Sequence, residues 1–342
     1  MRPAAVIVLA AGQGTRMKSS TPKVLHTMCG RSLLGHAIAA ARGLDPDNLV
    51  VVVRHERDVI AAHALACDPG VTIADQDEIK GTGRAVWCGL RQLPAELEGP
   101  VVVMAGDTPL LSTEVLAGLL AQHSDNAVTV LTTVLPDATG YGRILRDEAG
   151  GIAGVVEHGD ATPAQREIRE INTSTYVFDA AFLRRAIEGL DSANAQGEVY
   201  LTDVVAAAYE VGAGVAGHVV EDSWLVEGCN DLVQLAGLRE QMNRRTLHAW
   251  MRRGAAVTDP ASTWIDVTVT LAADCRIMPG TALYGTTSVA PGAVVGPGEF
   301  TDVAVGQGAV ARHVVARSAT IEAGAELAPY TVLTGGSDGS PS

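Results

Sequence analysis

The sequence predicts an α/β fold, in which a Rossmann-like, mostly parallel sheet is followed by a short left-handed parallel β-helix. Three observations lead to this prediction. Short runs rich in Val and Ile alternate with segments of helical period over the first two-thirds of the chain. A glycine-rich turn directly follows the first of these runs, where sheets of this kind bind ligands. Closer to the carboxyl terminus, apolar residues recur at every sixth position.

The strands and helices alternate from residue 4 to about residue 220. Strands are predicted at Ala4–Ala10, Asn48–Val53, Val71–Ala74, Pro100–Met104 and Ala127–Thr133. Helices are predicted at Leu33–Arg42, Glu56–Ala66, Gly83–Leu93 and Thr113–His123. This alternation indicates βαβ units, whose right-handed crossovers place ligand-binding loops at the carboxyl ends of the strands. A longer helix, Asn230–Arg253, is predicted to connect these units to a different structure.

The hexapeptide repeat begins near Trp264. Its apolar positions are Leu271, Ile277, Leu283, Val289 and Val295 and, after a two-residue slip, Val315, Ile321, Leu327 and Leu333. This period predicts a parallel β-helix, in which each apolar residue fills the interior and each rung stacks on the next. We therefore expect an α/β domain at residues 1–227, a connecting helix at 228–254, a β-helix at 255–333 and a disordered tail at 334–342.

Composition excludes some classes of function. The chain has 342 residues, 47% of them hydrophobic, so we expect more than one domain. Its net charge of −14 argues against nucleic-acid or membrane partners, which attract basic patches. The five cysteines lack the spacing of a metal or redox site, as is typical of a cytoplasmic protein. The apolar start is too short to span a bilayer and leads into the glycine turn, so we expect neither a signal peptide nor a membrane segment.

The segment LAAGQGTRMKSSTPKVLH, residues 9–26, is the best candidate for a phosphate-binding loop. Small residues let a ligand approach the backbone closely, and consecutive N–H groups in such a turn can bind an anion. Arg16 and Lys23 offer a cation at each end of the loop. The segment lacks the Gly-Lys-Ser/Thr of a P-loop, and two glycines do not make a Rossmann fingerprint, so by itself it leaves phosphate binding open.

Further motifs in one order resemble the uridylyltransferase half of a bifunctional bacterial family, N-acetylglucosamine-1-phosphate uridylyltransferase/glucosamine-1-phosphate acetyltransferase. The motifs are LAAGQGTRM with PKVLH, Gln76 with Gly81-Thr82-Gly83, AGDTPLL at 105–111, GYGRI at 140–144, Val156-Glu157, EINT at 170–173, NAQ and YLTD within 194–203, and VEGCN at 226–230. They cover about residues 5–240, and the hexapeptide repeat continues the resemblance to about 333. The resemblance implies a sheet of the nucleotide-diphospho-sugar transferase type.

The resemblance also implies roles for individual residues. Those that would contact the nucleotide are Leu9, Ala10, Ala11, Gly12, Gln76, Gly81 and Thr82, with the last three at the uracil edge. Ala105 and Gly106, at the metal-binding strand end, would also bind substrate. Arg16 and Lys23 would be catalytic, because they neutralise the triphosphate and the transition state. The residues on the sugar side would be Gly142, Glu157 and Asn172, and Asn230 would also bind substrate. Asp107 and Asn230 would hold Mg²⁺, which prefers oxygen ligands.

Simpler roles stay open for some of these residues. Asp107 could lie in a tight turn before a helix. Asn230 could cap the helix that follows it, and Thr202 or Asp203 could cap the helix of residues 203–209. His26 and His36 lie near the loop, but the attacking phosphate is already ionised at neutral pH, so we expect neither to act as a base.

The chain departs from the family pattern at three positions. Arg84 replaces a usual His and is expected to add a cation near the nucleotide. Ser174 replaces a usual Gly and is expected to narrow the space beside Asn172, which leaves the identity of the sugar open. Asp231 stands where Asn is common. The acetyl-transfer residues of the family lie beyond residue 342, so we expect no acetyltransferase activity. The β-helix resembles the trimerisation element of the family, and this resemblance implies a homotrimer.

These observations predict a cytoplasmic, Mg²⁺-dependent uridylyltransferase that makes UDP-N-acetylglucosamine and pyrophosphate from UTP and N-acetylglucosamine-1-phosphate. The reaction needs no protein nucleophile, because positioning and the neutralisation of negative charge supply the catalysis. Two alternatives stay open: a nucleotidylyltransferase that uses another sugar phosphate or dTTP, and a non-catalytic sensor of nucleotide sugars.

Overall fold

The computed structural model describes residues 1–335 and divides into two compact units. The first unit comprises residues 1–26 and 32–234, and the second comprises residues 27–31 and, within the described part of the chain, 235–335. Of the predicted disordered tail, residues 336–342 lie outside the described part of the chain. Within residues 1–335, no helix is both long and apolar enough to cross a membrane.

The first unit contains one large sheet surrounded by helices. The strands up to residue 219 are β1 (Ala5–Leu9), β2 (Thr27–Met28), β3 (Arg31–Ser32), β4 (Asn48–Val53), β5 (Thr72–Asp75), β6 (Pro100–Ala105), β7 (Val128–Val134), β8 (Arg143–Arg146), β9 (Ile152–Val156), β10 (Glu170–Asp179) and β11 (Val215–Val219). Of these, β2 and Arg31 of β3 belong to the second unit and are not part of the large sheet. The α-helices are α1 (Leu33–Arg42), α2 (Arg57–Cys67), α3 (Thr82–Leu90), α4 (Thr113–Ala121), α5 (Pro163–Arg166), α6 (Ala180–Glu188), α7 (Asp203–Glu210) and α8 (Leu232–Arg252), the last of which continues into the second unit.

The main path of the nine-stranded sheet has the order β11-β7-β10-β6-β1-β4-β5. β1 pairs in parallel with β4 and β6, and β4 pairs in parallel with β5. β10 is antiparallel to both of its neighbours, β6 and β7, and the hairpin β8–β9 joins the sheet through β10. The predicted mostly parallel Rossmann-like sheet is therefore confirmed.

Both faces of the central strands are covered. Alternate residues of β1 enter two different cores: Val6 and Val8 pack with Leu34 of α1, whereas Ile7 packs with Val86 of α3. Burial on both faces explains why these strands read as continuous apolar runs. It also leaves the loops at the carboxyl ends of the strands as the place where polar side chains can gather.

The second unit contains the predicted parallel β-helix. Its strands are β12 (Ala256–Val257), β13 (Trp264–Ile265), β14 (Thr270–Leu271), β15 (Arg276–Ile277), β16 (Thr281–Tyr284), β17 (Ser288–Val289), β18 (Val294–Val295), β19 (Gly298–Thr301), β20 (Ala304–Val305), β21 (Val310–Ala311), β22 (Val314–Arg317), β23 (Thr320–Ile321), β24 (Glu326–Leu327) and β25 (Val332–Thr334). They form three parallel sheets, β12-β15-β18-β21-β24, β13-β16-β19-β22-β25 and β14-β17-β20-β23. The fold prediction of a left-handed parallel β-helix is confirmed.

The interior register differs from the predicted one at Val315. The five predicted positions up to Val295 are buried, but Val315 is 38% exposed while its neighbour Ala316 is fully buried. Paired strands place Phe300, Val305, Ala311 and Ala316 between Val295 and Ile321, so four of these five steps span five residues instead of six. Because neighbouring residues in a strand face opposite sides, an error of one position puts Val315 outside.

Candidate active site

Four neighbouring parallel strands, in the order β6-β1-β4-β5, end at one cavity of about 400 Å³. This volume lies within the range of small-molecule sites in proteins. The predicted residues that line it are Leu9, Ala10, Ala11, Gly12, Lys23, Gln76, Gly81, Thr82, Ala105 and Asp107. Gly106 is not among the lining residues, but its N–H donates to the carbonyl oxygen of Leu9 over 2.9 Å and so ties the end of β6 to the glycine loop.

The glycine loop folds back on itself so that Lys23 lies against Gly14. Gly14 has a φ of +64°, and a β-carbon there would lie 2.5 Å from Cβ of Lys23. A side chain at this position would therefore displace the lysine as well as strain the backbone. The loop returns through two short 3₁₀ turns, Thr15–Met17 and Lys23–Leu25, which bring Lys23 back to the cavity.

Lys23 and Asp107 form an ion pair in the cavity. Their side chains are only 14% and 19% exposed, so the pair is partly shielded from water. The backbone oxygen of Asp107 accepts a hydrogen bond of 2.9 Å from the N–H of Cys229. A β-carbon on Gly228 would lie 3.9 Å from Oδ1 of Asp107, so the segment before Asn230 runs alongside this carboxylate.

Arg16 reaches the same segment through Asn230. Its Nη2 donates to Oδ1 of Asn230 over 2.7 Å. The expectation that Asn230 caps α8 is wrong, because Oδ1 of Asp231 accepts from the N–H of Gln234 over 2.8 Å and fills that role. Asp231 therefore leaves the side chain of Asn230 available to Arg16, although neither residue of that pair is among those lining the 400 Å³ cavity.

Gln76 presents an acceptor to the other end of the cavity. Its Nε2 donates to the carbonyl oxygens of Ile79, over 2.9 Å, and Gly81, over 3.2 Å. Because only the amide nitrogen can donate to a carbonyl, this arrangement fixes the orientation of the side chain and leaves Oε1 for another partner. Gly81 has a φ of +115°, and a β-carbon there would lie 2.1 Å from the carbonyl oxygen of Val199, so only glycine fits.

Arg84 does not add the expected cation to the cavity. It pairs with Asp77 and lies over the ring of Trp87, 3.8 Å from the ring centroid. The pairing lowers the pKa of Asp77. The positive charge is thus used within the protein, and Arg84 is absent from the residues that line the cavity.

The predicted sugar-side residues Gly142, Glu157 and Asn172 lie together. A β-carbon on Gly142 would lie 3.3 Å from Oε2 of Glu157 and 3.5 Å from Cβ of Asn172. A side chain at residue 142 would therefore press on the very groups that are expected to bind the sugar.

Glu157 lines a second cavity of about 270 Å³, together with Asp160, Tyr200, Thr202 and Asp203. Burial raises the pKa of Glu157, and the nearby Asp160 and Asp203 add to this, while a hydrogen bond from Thr202 opposes it. Thr202 precedes α7 but makes no side-chain cap, because its Oγ1 donates to Oε1 of Glu157 over 3.3 Å instead. The expectation that Thr202 caps this helix is therefore wrong.

Ser174 brings the first cavity close to Asn172, one of the predicted sugar-side residues. It lines that cavity, and its N–H donates to Oδ1 of Asn172 over 3.2 Å. Asn172 is buried and donates through Nδ2 to the hydroxyl of Tyr176 over 2.7 Å, so part of its hydrogen-bonding capacity is already used. The pairing of β10 with β7 is irregular between Asn172 and Tyr176, and Ser174 has a φ of +58°, a conformation that favours glycine.

The sequence analysis missed several residues that line the first cavity. They are Gln13, Val24, Arg54, His55, Lys80, Ala85 and Glu198. Arg54 and His55 directly follow β4, so the rule that ligands bind at the carboxyl ends of parallel strands could have identified them. Lys80 precedes the predicted Gly81-Thr82 pair. Glu198 lies between the NAQ and YLTD motifs, but neither motif includes it.

Comparisons with known proteins show which proteins this chain resembles. Residues 6–157 match the family model of the MobA-like NTP transferase domain. The chain is 56% identical over 339 residues to the bifunctional protein GlmU of Paenarthrobacter aurescens, a match that covers 98% of this chain and 68% of that protein. It is 53% identical over 351 residues to the protein of the same name from Micrococcus luteus, with 98% and 71% covered. It is also 50% identical over 345 residues to the bifunctional protein GlmU of Mycolicibacterium vanbaalenii, a match that covers 99% of this chain and 70% of that protein.

Proposed function

We propose a specific reaction for this chain, which belongs to the family of the bifunctional GlmU proteins and is a sugar-1-phosphate nucleotidylyltransferase. The reaction is the transfer of a uridylyl group from UTP to N-acetylglucosamine-1-phosphate, which gives UDP-N-acetylglucosamine and pyrophosphate. One observation carries the proposal: the glycine loop, Lys23, Asp107 and Gln76 line one cavity at the ends of adjacent strands.

In this reaction a phosphate oxygen of the sugar phosphate forms a bond to the α-phosphorus of UTP. The bond from that phosphorus to the bridging oxygen of the β-phosphate breaks, and pyrophosphate leaves with the electron pair. Positioning and the neutralisation of charge are the main contributions of the protein. We assign the neutralisation to Lys23 and Arg16, and the contact with the nucleotide backbone to the N–H groups of the loop from Leu9 to Gly12.

Gln76 supports uridine as the nucleoside. Its Oε1 is an acceptor, and its two amide hydrogens are directed to the carbonyls of Ile79 and Gly81. An acceptor at this place suits the N3–H of uracil, with Gly81 and Thr82 lining the cavity beside it. Thymine has the same N3–H, so dTTP stays an alternative substrate for the assay.

The side-chain oxygens of Asp107 and Asn230 suit a hard divalent cation, and we propose Mg²⁺. Asp107 offers a carboxylate and Asn230 an amide oxygen, which are ligands that Mg²⁺ accepts. Mg²⁺ would take its other ligands from phosphates and water. When bound, the cation would neutralise charge on the phosphate oxygens. Lys23, now paired with Asp107, would then be available to the phosphates.

Two other parts of the prediction are kept as proposals. A homotrimer is supported by one outer column of the β-helix, where Trp264, Val315 and Val332 are 38%, 38% and 67% exposed. Register places these three in the same row of paired strands, with Ala282 and Glu299 between them. Sedimentation at monomer mass would exclude the trimer. The absence of acetyl transfer, which the sequence analysis expected, and a cytoplasmic location both stay predictions.

A panel of sugar phosphates tests the proposal. Pyrophosphate release is measured with UTP and Mg²⁺ for N-acetylglucosamine-1-phosphate, glucosamine-1-phosphate and glucose-1-phosphate, with a further reaction containing dTTP. We expect the highest kcat/KM for N-acetylglucosamine-1-phosphate. A clear preference for another sugar phosphate would support the alternative that Ser174 raises, because Ser174 lies beside Asn172 in a backbone conformation typical of glycine. Binding of UDP-sugar without any turnover would indicate a sensor instead. Glucosamine-1-phosphate with acetyl-CoA, followed as free thiol, tests for acetyl transfer.

A further inference from the structure

We propose that Arg54 recognises the base of the nucleotide and makes the cavity selective for uracil over cytosine. The proposal rests on the function proposed above. Arg54 was not among the residues that the motifs indicated, and it is the first residue after β4. It lines the same cavity as the glycine loop and Gln76.

The topology places Arg54 at the base end of the cavity and not at the phosphate end. β4 lies between β1, which leads into the glycine loop, and β5, which leads into Gln76. The N–H of Gln76 donates to the carbonyl oxygen of Val53 over 2.9 Å, directly before Arg54. Asp107 follows β6, two strand positions from β4 on the other side of β1. At about 4.8 Å per strand spacing, the end of β4, which Arg54 follows, lies roughly 10 Å from the end of β6.

Contacts within the protein hold the guanidinium at this end. Nη2 of Arg54 donates to the carbonyl oxygen of Glu78 over 3.0 Å, and Glu78 belongs to the segment between Gln76 and Gly81. Among the residues that the structure describes, Arg54 has no ion pair, whereas Arg57 pairs with Asp75 and Arg84 pairs with Asp77. The remaining N–H donors of Arg54 are therefore available to a ligand in the cavity.

Gln76 and Arg54 together present an acceptor and a donor. The Watson–Crick edge of uracil carries an N3–H donor flanked by two carbonyl oxygens. It can donate from N3 to Oε1 of Gln76 and accept at O4 from Arg54, since O2 is shared with cytosine and would not discriminate. Cytosine has an acceptor at N3 and an amino group in place of one carbonyl. With cytosine the acceptor of Gln76 meets an acceptor and the guanidinium meets a donor. Polar groups left unpaired in a partly buried site discriminate strongly between ligands.

The test compares Arg54→Met with Arg57→Met, which removes an arginine three positions away that is exposed and lies outside the cavity. The ratio of kcat/KM for UTP to that for CTP is measured with N-acetylglucosamine-1-phosphate and Mg²⁺. We expect Arg54→Met to lower this ratio about tenfold, since one hydrogen bond to the base is lost. Arg54→Gln, which keeps a neutral donor, should give an intermediate ratio, and Arg57→Met should leave the ratio unchanged.

The reverse reaction separates base recognition from phosphate binding. KM for pyrophosphate should be the same in Arg54→Met and the wild-type protein, while KM for UDP-N-acetylglucosamine rises. An unchanged UTP/CTP ratio in Arg54→Met would overturn the proposal, whether or not KM for pyrophosphate rises. If the wild-type protein does not turn over UTP, the proposed function fails. Arg54 is then tested independently by calorimetric binding of UTP and CTP to the same variants, whose folding is checked by melting temperature. An equal loss of affinity for UTP and CTP in Arg54→Met would count against the proposal.

Discussion

Nη2 of Arg16 donates a hydrogen bond to Oδ1 of Asn230 over 2.7 Å, although 214 positions separate the two residues in the chain. The contact joins the glycine loop after the first strand to the segment before α8. That segment also reaches Asp107, whose backbone oxygen accepts from Cys229. Asn230 can meet Arg16 because its neighbour Asp231 takes the role of helix cap.

Because Asn230 contacts Arg16 and Asp231 caps α8, replacing one should affect turnover and replacing the other should affect stability. Asp231→Ala removes the cap of α8 and should lower the free energy of unfolding by about 1 kcal/mol with little change in turnover. Asn230→Ala removes the partner of Arg16 and should lower kcat about 100-fold with little change in stability. Thermal melting and pyrophosphate release on both variants check this. If Asp231→Ala lost turnover at normal stability while Asn230→Ala stayed active, the roles assigned to these two residues would be reversed.

Glu157 should make stability depend on pH. Its pKa is raised by burial, so the folded chain binds this proton more tightly than the unfolded chain does. Ionisation above the raised pKa therefore destabilises the fold, whereas below the ordinary value of 4.5 the group is protonated in both states and has no effect. Glu157→Gln should raise the melting temperature at neutral pH, and the gain should disappear on acidification below that value. Glu188→Gln, at the exposed end of α6, is the control. A gain from Glu157→Gln that is constant with pH would contradict this account.

Ser174 and Ser124 form a matched pair for the sugar side. Both have a positive φ, +58° and +38°, but Ser174 lines the cavity and Ser124 is exposed in a turn after α4. Each Ser→Gly change should alter the free energy of unfolding by less than about 1 kcal/mol, since relief of strain offsets the greater entropy of the unfolded chain. Only Ser174→Gly should change the relative kcat/KM for different sugar phosphates. Equal kinetics for both variants and the wild-type protein would exclude Ser174 as a determinant of the sugar.

The corrected register of the β-helix predicts a sharp contrast between neighbours. Ala316→Lys places an ammonium group in a fully buried position and should cost at least about 3 kcal/mol of unfolding free energy. Val315→Lys, on the outer face, should cost less than about 1 kcal/mol. Chemical denaturation distinguishes them, with sedimentation as a check on any effect on assembly. Similar losses in both variants would show that the register is misassigned.

Periodicity was sufficient for most of the fold. The predicted bounds of Asn48–Val53 and Leu33–Arg42 match β4 and α1, because each segment is buried along one continuous pattern and ends at polar or glycine residues. The β-helix pattern failed at Val315, where five-residue steps replace six-residue ones. Both Val314 and Val315 are apolar, so the sequence gives no sign of which one faces inward; the stacking of paired strands decides it.

The site was predictable where motifs and strand ends coincide. Gly12, Lys23 and Asp107 were expected at one place, and they line one cavity. Side-chain partners were less predictable, because they depend on contacts between distant segments. Arg84 pairs with Asp77, Thr202 bonds to Glu157, and Asp231 instead of Asn230 caps α8. The chemical roles of all the site residues stay predictions until the variants are measured.

The central claim is that Asp107, beside Lys23, holds the cation that the reaction of the nucleotide requires. One measurement tests this claim most directly. Pyrophosphate release from UTP and N-acetylglucosamine-1-phosphate is followed with Mg²⁺ for the wild-type protein, Asp107→Asn and the exposed control Asp125→Asn. We predict that Asp107→Asn lowers kcat at least about 100-fold at an unchanged melting temperature, while Asp125→Asn retains full activity. A wild-type rate in Asp107→Asn would contradict the account.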